Sequence, residues 1–375
     1  MVQKKIKVVQ VLGGLFCGGT EAFVMNIARN IDREKTEVDY IIHDASKGHY
    51  DDEVLSLGSK IIRIPDRTEV GVFKYFKVLF KTLKEIKPDV VHAHAMFNSG
   101  AVMLAAKLAG VKIRICHAHG GGDEGEKKIS RKIHRFFMRK LINFCSSSRV
   151  ACNEKSAYFL FGKHSLLKDV NFLSNSIDVD RFTIIDNNSI TKLRKELNIS
   201  EDKYVIGFVG RLVDVKNILF YVKLFDKVKS LNEKSVLIIV GEGPHRSKIE
   251  EILISKDLQS NSRILGNRSD VPDLMALFDL LILPSRFEGI PFVAIEAQAK
   301  GIPCLISSNI EKTVDLGLGL INFLPLEKRD EWIKYSTGFL KKEKDVKRIK
   351  SVFEKEGYDF SKTLKQISRL YELER

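Results

Sequence analysis

The sequence lacks the features that mark several classes of protein. No apolar run approaches the roughly 18 residues that a membrane-spanning helix needs, so we expect a chain that does not cross a bilayer. The five cysteines are odd in number, scattered and without a C-x-x-C pair, which fits neither a disulfide framework nor a zinc site. Internal repeats and low-complexity tracts are also missing. These absences predict a globular protein of the reducing cytoplasm.

The chain has the length and the element pattern of two domains. Its 375 residues exceed what one hydrophobic core usually serves, and the 44% apolar content can fill two cores. Short β-branched runs alternate with helix-period segments, which predicts a parallel α/β sheet, and the pattern restarts at residues 205–211. We therefore predict two doubly wound, Rossmann-like domains, 1–176 and 177–357, followed by a terminal amphipathic helix at about 358–375.

The densest chemistry lies at residues 283–303, which read as strand, loop and helix. Gly289 permits close backbone approach, Pro291 suits the first turn of a helix, and free N–H groups near Phe292 would face an anion. Glu288 and Glu296 form an E-x7-E pair whose carboxylates suit sugar hydroxyls. The structural alternative is a helix-start glutamate plus a surface glutamate.

A second segment, G-F-V-G-R-L-V-D-V-K-N, ends a strand at Gly210 and brings two cations to the carboxyl edge of the sheet. Arg211 and Lys216 there could neutralise a nucleoside diphosphate leaving group, although two solvated surface charges are the simpler interpretation. The turn V-G-E-G-P-H adds Gly243 as a weaker candidate, since most such turns only change the chain direction.

The first half of the chain carries a glycine loop and four histidines at strand ends. Gly18 and Gly19 could let backbone N–H groups approach a phosphate, with the helix starting at Thr20 or Glu21; a turn with positive φ is the alternative. The spacing is not G-x-G-x-x-G, which disfavours a dinucleotide-binding dehydrogenase. His119 ends a strand whose carboxyl edge faces ligand. The pairs His92/His94 and His117/His119 show no coherent ligand set with nearby acids, so we predict no metal.

These motifs, in this order, resemble glycosyltransferase family 4, whose members are retaining enzymes of the GT-B fold, and the likeness covers nearly the whole chain. The linker N-S-I-D-V-D-R-F also matches the family pattern, except that Ser174 and Ser176 replace Pro and Gly. Bacterial capsular and exopolysaccharide enzymes are the nearest likeness. The resemblance implies two domains facing across a cleft, with the terminal helix returning to the first. It also implies a nucleotide-sugar donor and a reaction that needs no metal.

The resemblance assigns roles to individual residues. It implies that Arg211 and Lys216 contact the donor diphosphate, and that Glu296 binds the ribose. The glycine loop would face the donor phosphates and the acceptor, His119 matches the family's active-site histidine, and His94 is its structural partner. The transferred sugar would contact Glu288 and the backbone from Gly289 through Ile290 to Phe292, and Asn267 and Arg268 would lie near the base.

Most of the net charge of +14 belongs to the first half. Residues 1–176 hold 29 Lys/Arg against 18 Asp/Glu, and residues 177–375 hold 33 against 30. Segments 73–87 and 127–144 both combine an apolar stripe with many cations, which resembles helices that lie on anionic headgroups. Such a surface would suit a lipid-linked acceptor at the cytoplasmic face of the membrane. The structural alternative is that each stripe covers the domain's own sheet. No nucleic-acid module is present, and we predict no such partner.

Two other functions are compatible with the same residues. A GT-B-fold sugar-nucleotide epimerase or hydrolase also needs diphosphate-binding cations and carboxylates, but it does not need a basic first domain. A non-catalytic sugar-nucleotide sensor would not need all four charged positions. We predict a retaining hexosyltransferase that uses a UDP-sugar, the nucleotide being chosen on family prevalence alone.

Overall fold

The computed structural model describes residues 4–16, 18–120, 129–162, 169–173, 176–184, 186–288, 290–338 and 344–373. Within it the chain forms two compact units. The first comprises Met1–Ile177 and Phe360–Arg375, and the second comprises Asp178–Asp359. The first crossing thus lies next to the predicted boundary at Ser176, and the end of the chain returns to the first unit.

The first unit alternates strands and helices as the sequence pattern indicates. Its strands are β1 (Ile6–Leu12), β2 (Thr36–Ile42), β3 (Ile61–Arg63), β4 (Val90–Ala93), β5 (Ile113–Ala118), β6 (Ser148–Ala151) and β7 (Val170–Phe172). Its helices are α1 (Gly19–Asn30), α2 (Asp51–Ser56), α3 (Arg67–Val70), α4 (Val72–Ile86), α5 (Ser99–Leu108), α6 (Ile129–Cys145), α7 (Glu154–Phe161) and, from the end of the chain, α16 (Phe360–Leu370).

The seven strands form one sheet in the order β3-β2-β1-β4-β5-β6-β7, and each of the described pairings is parallel. Strand β1 is apolar on both sides because both faces of the sheet are covered. Val9 and Val11 enter a core built with α4, α5 and α6, whereas Val8 and Leu12 enter a core built with α1 and α16. The period of two along β1 thus divides its side chains between two cores.

Helix α16 is fixed to the first unit near the point where the chain crosses between units. Phe360 donates its backbone N–H to the carbonyl of Ile177 at 3.0 Å, so the incoming and outgoing segments are adjacent. The hydroxyl of Ser176 lies 2.8 Å from that of Thr363, and the Ser176 carbonyl accepts from Asn26 at 3.1 Å. Ser176, the departure from the family linker pattern, therefore has specific partners. Ser174, the other departure, lies outside the described residues.

The second unit repeats the same alternation. Its strands are β8 (Tyr204–Val209), β9 (Ser235–Val240), β10 (Ser262–Gly266), β11 (Leu280–Leu283), β12 (Cys304–Ser307) and β13 (Ile321–Leu324). Its helices are α8 (Val179–Thr183), α9 (Asn187–Glu196), α10 (Ile218–Leu231), α11 (Arg246–Ser255), α12 (Val271–Met275), α13 (Phe292–Lys300), α14 (Arg329–Ser336) and α15 (Val346–Glu356).

The strand order β10-β9-β8-β11-β12-β13 places a topological switch point between β8 and β11. The first unit has the equivalent point between β1 and β4. In doubly wound sheets, ligands bind outside the carboxyl ends of the strands at such points, because the connections there leave to opposite faces and open a crevice. The loops after β8 and β11 are therefore where a ligand of the second unit is expected.

Gly207 provides a test of packing beneath this switch point. A Cβ at this position of β8 would lie 2.2 Å from ring carbons of Phe278, which is fully buried. We expect Gly207→Ala to lower the free energy of unfolding by about 1–3 kcal/mol, because the core must shift to admit the methyl group. Gly338→Ala is the control, since a Cβ there meets no described atom within 4 Å. Equal urea midpoints for the two variants would contradict this packing.

Candidate functional site

The loops after β8 and β11 are bound to each other at the switch point of the second unit. Asn217 donates its side-chain amide to the carbonyl of Pro284 at 3.0 Å, and the backbone N–H of Arg286 donates to the carbonyl of Val215 at 2.8 Å. These two bonds hold the segments that carry Lys216 and Glu288 side by side.

Lys216 and Glu288 meet in an ion pair at this junction. The Lys216 ammonium contacts one carboxylate oxygen of Glu288, and the hydroxyl of Ser285 donates to the other. Only 18% of the Lys216 side chain and 13% of the Glu288 side chain are exposed. The cation and the carboxylate predicted to bind the donor are therefore brought together, and each is the other's counter-charge.

Helix α13 begins at Phe292, four residues after Glu288. Pro291 lies one residue before the helix and not within its first turn as predicted, and the N–H of Ala294 donates to the Pro291 carbonyl at 3.0 Å. Phe292 and Val293 lie in the first turn, where N–H groups have no intrahelical acceptor and the helix dipole favours an anion. Ile290 is exposed beside this turn. Gly289 lies outside the described residues.

Arg211 follows β8 on a loop that a neighbouring turn supports. Leu212 donates its backbone N–H to the carbonyl of Glu242 at 2.9 Å. Its own carbonyl accepts from the backbone N–H of His245 at 3.1 Å. A Cβ on Gly243 would lie 2.5 Å from the Leu212 carbonyl oxygen. Gly243 therefore allows its backbone to approach that of Leu212. The sequence had predicted only that Gly243 contacts the sugar donor, so this structural role is an addition. Arg211 is exposed, and within the described ranges its guanidinium has no ion-pair partner.

The two residues predicted to lie near the base differ in their availability. Asn267 is exposed directly after β10. Arg268 forms a two-bond pair with Asp270, at 2.8 and 2.7 Å, and a third bond to Glu196 at 3.0 Å. Most of its donors are thus committed within the protein, which weakens the prediction that Arg268 binds the base.

Glu296 lies in the second turn of α13, where its electrostatic neighbour is Arg181 of helix α8. Burial raises the pKa of Glu296 to about 7, and the nearby Arg181 opposes the shift. The sequence did not single out Arg181, although it belongs to the linker motif. Glu288 and Glu296 therefore have different partners, a lysine for one and an arginine for the other, which E-x7-E alone did not indicate.

The raised pKa of Glu296 predicts a pH-dependent stability. In the folded protein the Glu296 carboxyl keeps its proton up to about pH 7. In the unfolded chain a glutamate releases its proton at about pH 4.3. The folded state binds more protons in this window, so stability falls as pH rises from about 4.3 to about 7. Glu296→Gln should remove a component of about 3–4 kcal/mol. Urea unfolding at several pH values measures it, and identical pH profiles for the two proteins would contradict it.

The glycine loop of the first unit leads into α1 at its own switch point. The helix begins at Gly19, so the predicted start at Thr20 or Glu21 is one or two residues late. Gly18 is extended, with φ −164°, so the alternative of a positive-φ turn is also wrong at this position. A Cβ on Gly18 would lie 2.3 Å from a carboxylate oxygen of Glu21. The Glu21 carboxylate thus covers Gly18 near the end of α1 that attracts anions.

Side chains from four strand ends and the C-terminal segment form a closed ring of hydrogen bonds in the first unit. The ring runs through Gln10, Tyr371, His92, His117, Cys152, His119 and His94, and then returns to Gln10. The sequence placed the four histidines at strand ends but did not include the cysteine, the glutamine or the tyrosine. Two groups of three of these side chains lie close enough to share one ion, and neither group contains an acid, so the absence of a metal here stays a prediction.

The first half of the ring connects the C-terminal segment to β4 and β5. Gln10 donates its amide N–H to the Tyr371 hydroxyl oxygen at 2.9 Å, and that hydroxyl lies 2.7 Å from Nδ1 of His92. Nε2 of His92 lies 3.3 Å from Nδ1 of His117. Every member can donate one hydrogen and accept one, so these groups are satisfied without any net charge.

The second half determines which nitrogen of His119 carries hydrogen. The Gln10 carbonyl oxygen can only accept, so His94 donates from Nε2 at 2.8 Å, and its Nδ1 accepts from Nε2 of His119 at 2.7 Å. Nδ1 of His119 is then proton-free and faces Sγ of Cys152 at 3.5 Å. Burial lowers the pKa of His119 to about 3, so the ring is neutral at physiological pH. His94 is thus the structural partner that was predicted.

The apolar stripe of one basic helix, α4, is buried, and that of the other, α6, is exposed. In α4 the stripe predicted for the membrane packs into the core of the first unit, through Leu79 and Leu83, with Phe76 and Phe80 partly buried. The structural alternative is therefore correct for the stripe of segment 73–87. Helix α6 instead leaves a stripe in solvent: Ile129, Ile133, Phe136, Phe137 and Phe144 are all exposed.

No helix in the described ranges combines the length and the apolarity that crossing a bilayer requires.

Comparison with known proteins shows the family of this chain. The family model described as Glycosyltransferase Family 4 matches residues 17–181, and the one described as Glycosyl transferases group 1 matches residues 189–316. EpsF of Bacillus subtilis, named as a glycosyltransferase, is 34% identical over 85% of this chain and 84% of its own. The capsular polysaccharide biosynthesis glycosyltransferase CapH of Staphylococcus aureus is 27% identical over 83% of each chain.

A relative with a more specific name and one solved structure complete the comparison. The Escherichia coli UDP-Gal:alpha-D-GlcNAc-diphosphoundecaprenol alpha-1,3-galactosyltransferase is 29% identical over 61% of this chain and 60% of its own. The structure of Anabaena Alr3699/HepE in complex with UDP and glucose has a TM-score of 0.71 at 16% identity, covering 97% of this chain and 98% of that one. The predicted fold, two Rossmann-like domains of GT-B type, is confirmed. The chain therefore belongs to glycosyltransferase family 4, and it is a sugar-transferring enzyme of polysaccharide or glycoconjugate biosynthesis.

Proposed function

We propose that this enzyme moves a hexose from a UDP-sugar to a lipid-linked saccharide, with retention of the anomeric configuration, during the synthesis of a surface polysaccharide. UDP is the nucleotide that the HepE structure contains, and a UDP-sugar with a lipid diphosphate acceptor stands in the name of the E. coli relative. The observation that carries the proposal is the ion pair of Lys216 and Glu288 at the switch point of the second unit.

The pair is suited to a donor because both members gain partners when a sugar diphosphate binds. A diphosphate oxygen would replace the Glu288 carboxylate as the counter-charge of Lys216, and a sugar hydroxyl would replace the ammonium as a donor to Glu288. The site thus exchanges one set of charge-assisted hydrogen bonds for another, and neither charge is left unpaired in the complex with the sugar donor.

The departure of the nucleoside diphosphate is the step that these charges would accelerate. Lys216, the exposed Arg211 and the first-turn N–H groups of α13 would stabilise the negative charge that develops on the leaving oxygen. These groups are part of the fold before substrate arrives, so they need little reorganisation. We propose that no metal takes part in this step. The acceptor hydroxyl then attacks the face of the sugar that the leaving group vacates, and its proton passes to the departing diphosphate oxygen.

The remaining residues would position the substrates. Glu296 would accept hydrogen bonds from the ribose, and Asn267 would lie near the base. His119, together with the loop at Gly18 and Gly19, would contact the transferred sugar and the acceptor. A carboxylate accepts from a diol best when it is ionised, so ribose binding would release the proton that burial keeps on Glu296 near neutral pH.

Labelled donors test the reaction directly. The full chain is incubated with radiolabelled UDP-glucose, UDP-galactose or UDP-N-acetylglucosamine, with and without a bacterial lipid extract. We expect label from one donor to enter the organic phase only when lipid is present, and NMR of the product should show the donor's anomeric configuration. Free sugar or an epimerised donor would indicate the epimerase or hydrolase instead, and saturable binding without turnover would indicate a sensor.

We further propose that α6 docks on an anionic membrane surface, where a lipid-linked acceptor resides. Its exposed apolar side chains include Phe136 and Phe137, which are 55% and 58% exposed. Segment 127–144 also carries seven Lys/Arg and no Asp/Glu. Exposed aromatic rings beside a high positive charge favour the interface of an acidic bilayer over water or a neutral protein surface.

Vesicle flotation tests the membrane proposal. The protein should float with vesicles that contain phosphatidylglycerol at low salt, and it should remain at the bottom with pure phosphatidylcholine. Replacing Phe136 and Phe137 together by Ser should abolish flotation. The matched control is Leu231→Ser, because Leu231 is an exposed apolar residue of the second unit. Wild-type protein that stays at the bottom at low salt would refute the proposal.

A further inference from the structure

The weakest hydrogen bonds in the ring of the first unit are the two that Cys152 makes. The five bonds among the other members are 2.7 to 3.3 Å long, whereas Sγ of Cys152 lies 3.5 Å from Nδ1 of His119 and 3.8 Å from Nε2 of His117. Thiols are poor donors and poor acceptors. One ring nitrogen of His117, one of His119 and Sγ of Cys152 lie within 4.8 Å of one another, so three ligand atoms converge where the ring is held least firmly.

We propose that His117, His119 and Cys152 bind a thiophilic transition-metal ion, Zn²⁺ or a close equivalent, through Nε2, Nδ1 and Sγ. Tetrahedral zinc with bonds of about 2.3 Å to sulfur and about 2.0–2.1 Å to nitrogen spaces the sulfur and nitrogen ligands about 3.6 Å apart. The observed distances of 3.5 and 3.8 Å match that spacing, and the stacked rings of His117 and His119, whose centroids are 3.9 Å apart, must rotate so that both lone pairs meet at one ion. Since His119 and Cys152 are only half-buried, a fourth position remains for a solvent or substrate oxygen.

The groups behind the two imidazoles favour coordination. Zinc-binding histidines are usually oriented by a hydrogen bond at the other ring nitrogen. For His119 this bond runs from Nε2 to His94, which is itself held by Gln10, so Nδ1 already presents a lone pair. For His117 the bond joins Nδ1 to His92. Both ligands therefore have a hydrogen-bond partner at the nitrogen that would not bind the ion.

The protons balance when the ion binds. The thiol of Cys152 loses its proton to solvent and becomes the thiolate ligand. The proton of His117 lies on Nδ1 and is donated to His92, whose own proton then faces the Tyr371 oxygen. That oxygen has two lone pairs and can accept from both Gln10 and His92. Only the Tyr371 hydroxyl hydrogen loses its acceptor in the ring, a penalty far smaller than the affinity of zinc for a thiolate site.

The ligand types decide which ions fit. Two imidazoles and one thiolate select borderline or soft ions such as Zn²⁺ and Co²⁺, whereas Mg²⁺ and Ca²⁺ need oxygen ligands that this set does not offer. If the proposed function holds, an occupied site withdraws Nδ1 of His119 from the sugar. Zn²⁺ should then inhibit transfer and a chelator should raise it, the reverse of what a metal-dependent transferase would show.

Cobalt spectroscopy tests the site without any donor or acceptor. The full chain, freed of purification tags, is stripped with a chelator and titrated with Co²⁺ in a phosphine reductant. We expect one Co²⁺ per chain, with near-ultraviolet thiolate-to-cobalt charge transfer and tetrahedral visible bands, both removed by Zn²⁺. Cys152→Ala should lose the charge transfer, and Cys304→Ala, which removes a buried thiol of the second unit, should keep it.

A second measurement covers the case in which Cys152→Ala does not fold. X-ray absorption of the zinc-loaded wild-type protein should show one sulfur and two imidazole ligands. Absence of charge transfer in wild-type protein, its persistence in folded Cys152→Ala, or a zinc shell made of oxygen alone would overturn the proposal. None of these results bears on sugar transfer, which the labelled-donor assay measures separately.

Discussion

Replacing Lys216 by Met should lower kcat/KM for sugar transfer by about 10²–10³-fold, as loss of a preorganised charge at a leaving group generally does. The substitution removes the counter-charge of Glu288, whose side chain is only 13% exposed, and leaves that carboxylate facing an incoming diphosphate. Loss of attraction and gain of repulsion act in the same direction. Steady-state kinetics with the donor identified by the labelled-sugar assay measure the effect.

The control and the partner variant make this prediction specific. Lys223→Met removes an exposed lysine from the neighbouring helix α10 and should leave kcat/KM unchanged. Glu288→Gln should be impaired on its own. Because the two side chains form one unit, the double variant should lose much less than the product of the single losses. Strictly multiplicative losses would show that the two side chains do not act as one unit, and an active Lys216→Met would show that the pair is not part of the catalytic site.

Replacing Tyr371 by Phe should lower the free energy of unfolding by about 2–4 kcal/mol, although it removes a single oxygen atom. The Tyr371 hydroxyl accepts from Gln10 and donates to His92, and both of these side chains are fully buried. Its loss leaves one buried donor and one buried acceptor unpaired. The effect should appear in urea unfolding, and it would show that the end of the chain stabilises the first unit.

Tyr221→Phe is the matched control for this effect. Tyr221 is also fully buried, and its hydroxyl donates to Ser336 at 2.7 Å. Ser336 keeps its own bond to the Trp332 carbonyl when that hydroxyl is removed, so we expect a loss of about 1 kcal/mol or less. If the two tyrosine variants were equally stable, the ring would not be a closed network.

Most strands of both sheets were predictable from sequence, including β3 and β10 at one edge of each sheet, whereas β6, β7 and β13 were not. Strands such as β1 and β8 are buried on both faces and therefore read as continuous apolar runs. Strand β7 has only three residues, with Asn171 and Phe172 exposed, and β13 lies at the edge of its sheet. A strand as short and as exposed as β7 needs no apolar run, so its sequence does not differ from that of a loop.

The sequence did not predict the hydrogen-bond ring, because its members meet only through the order of the strands in the first sheet. The two H-x-H pairs place alternate side chains on one face of each strand, which the period of two predicts. That β4 and β5 are neighbours, and that Cys152 follows β6 beside them, is known only from the sheet. Tyr371 is 361 residues from Gln10 in the sequence, and no local pattern connects them.

The sequence also did not indicate which charges pair at the donor site, or whether the apolar stripes of the two basic helices are buried. The motifs located Lys216, Glu288 and Glu296, but the partner of each carboxylate depends on packing, which also sets the pKa of Glu296. Segments 73–87 and 127–144 have the same amphipathic pattern. The stripe of α4 packs on the sheet and that of α6 remains in solvent, because amphipathicity alone does not specify what an apolar face will cover.

A crystal structure of the protein grown with UDP tests the assignment of the donor site most directly. We expect a diphosphate oxygen within hydrogen-bond distance of the Lys216 ammonium and of the first-turn N–H groups of α13, with the Lys216–Glu288 pair opened. Nucleotide bound at another place, with that pair intact, would contradict the account.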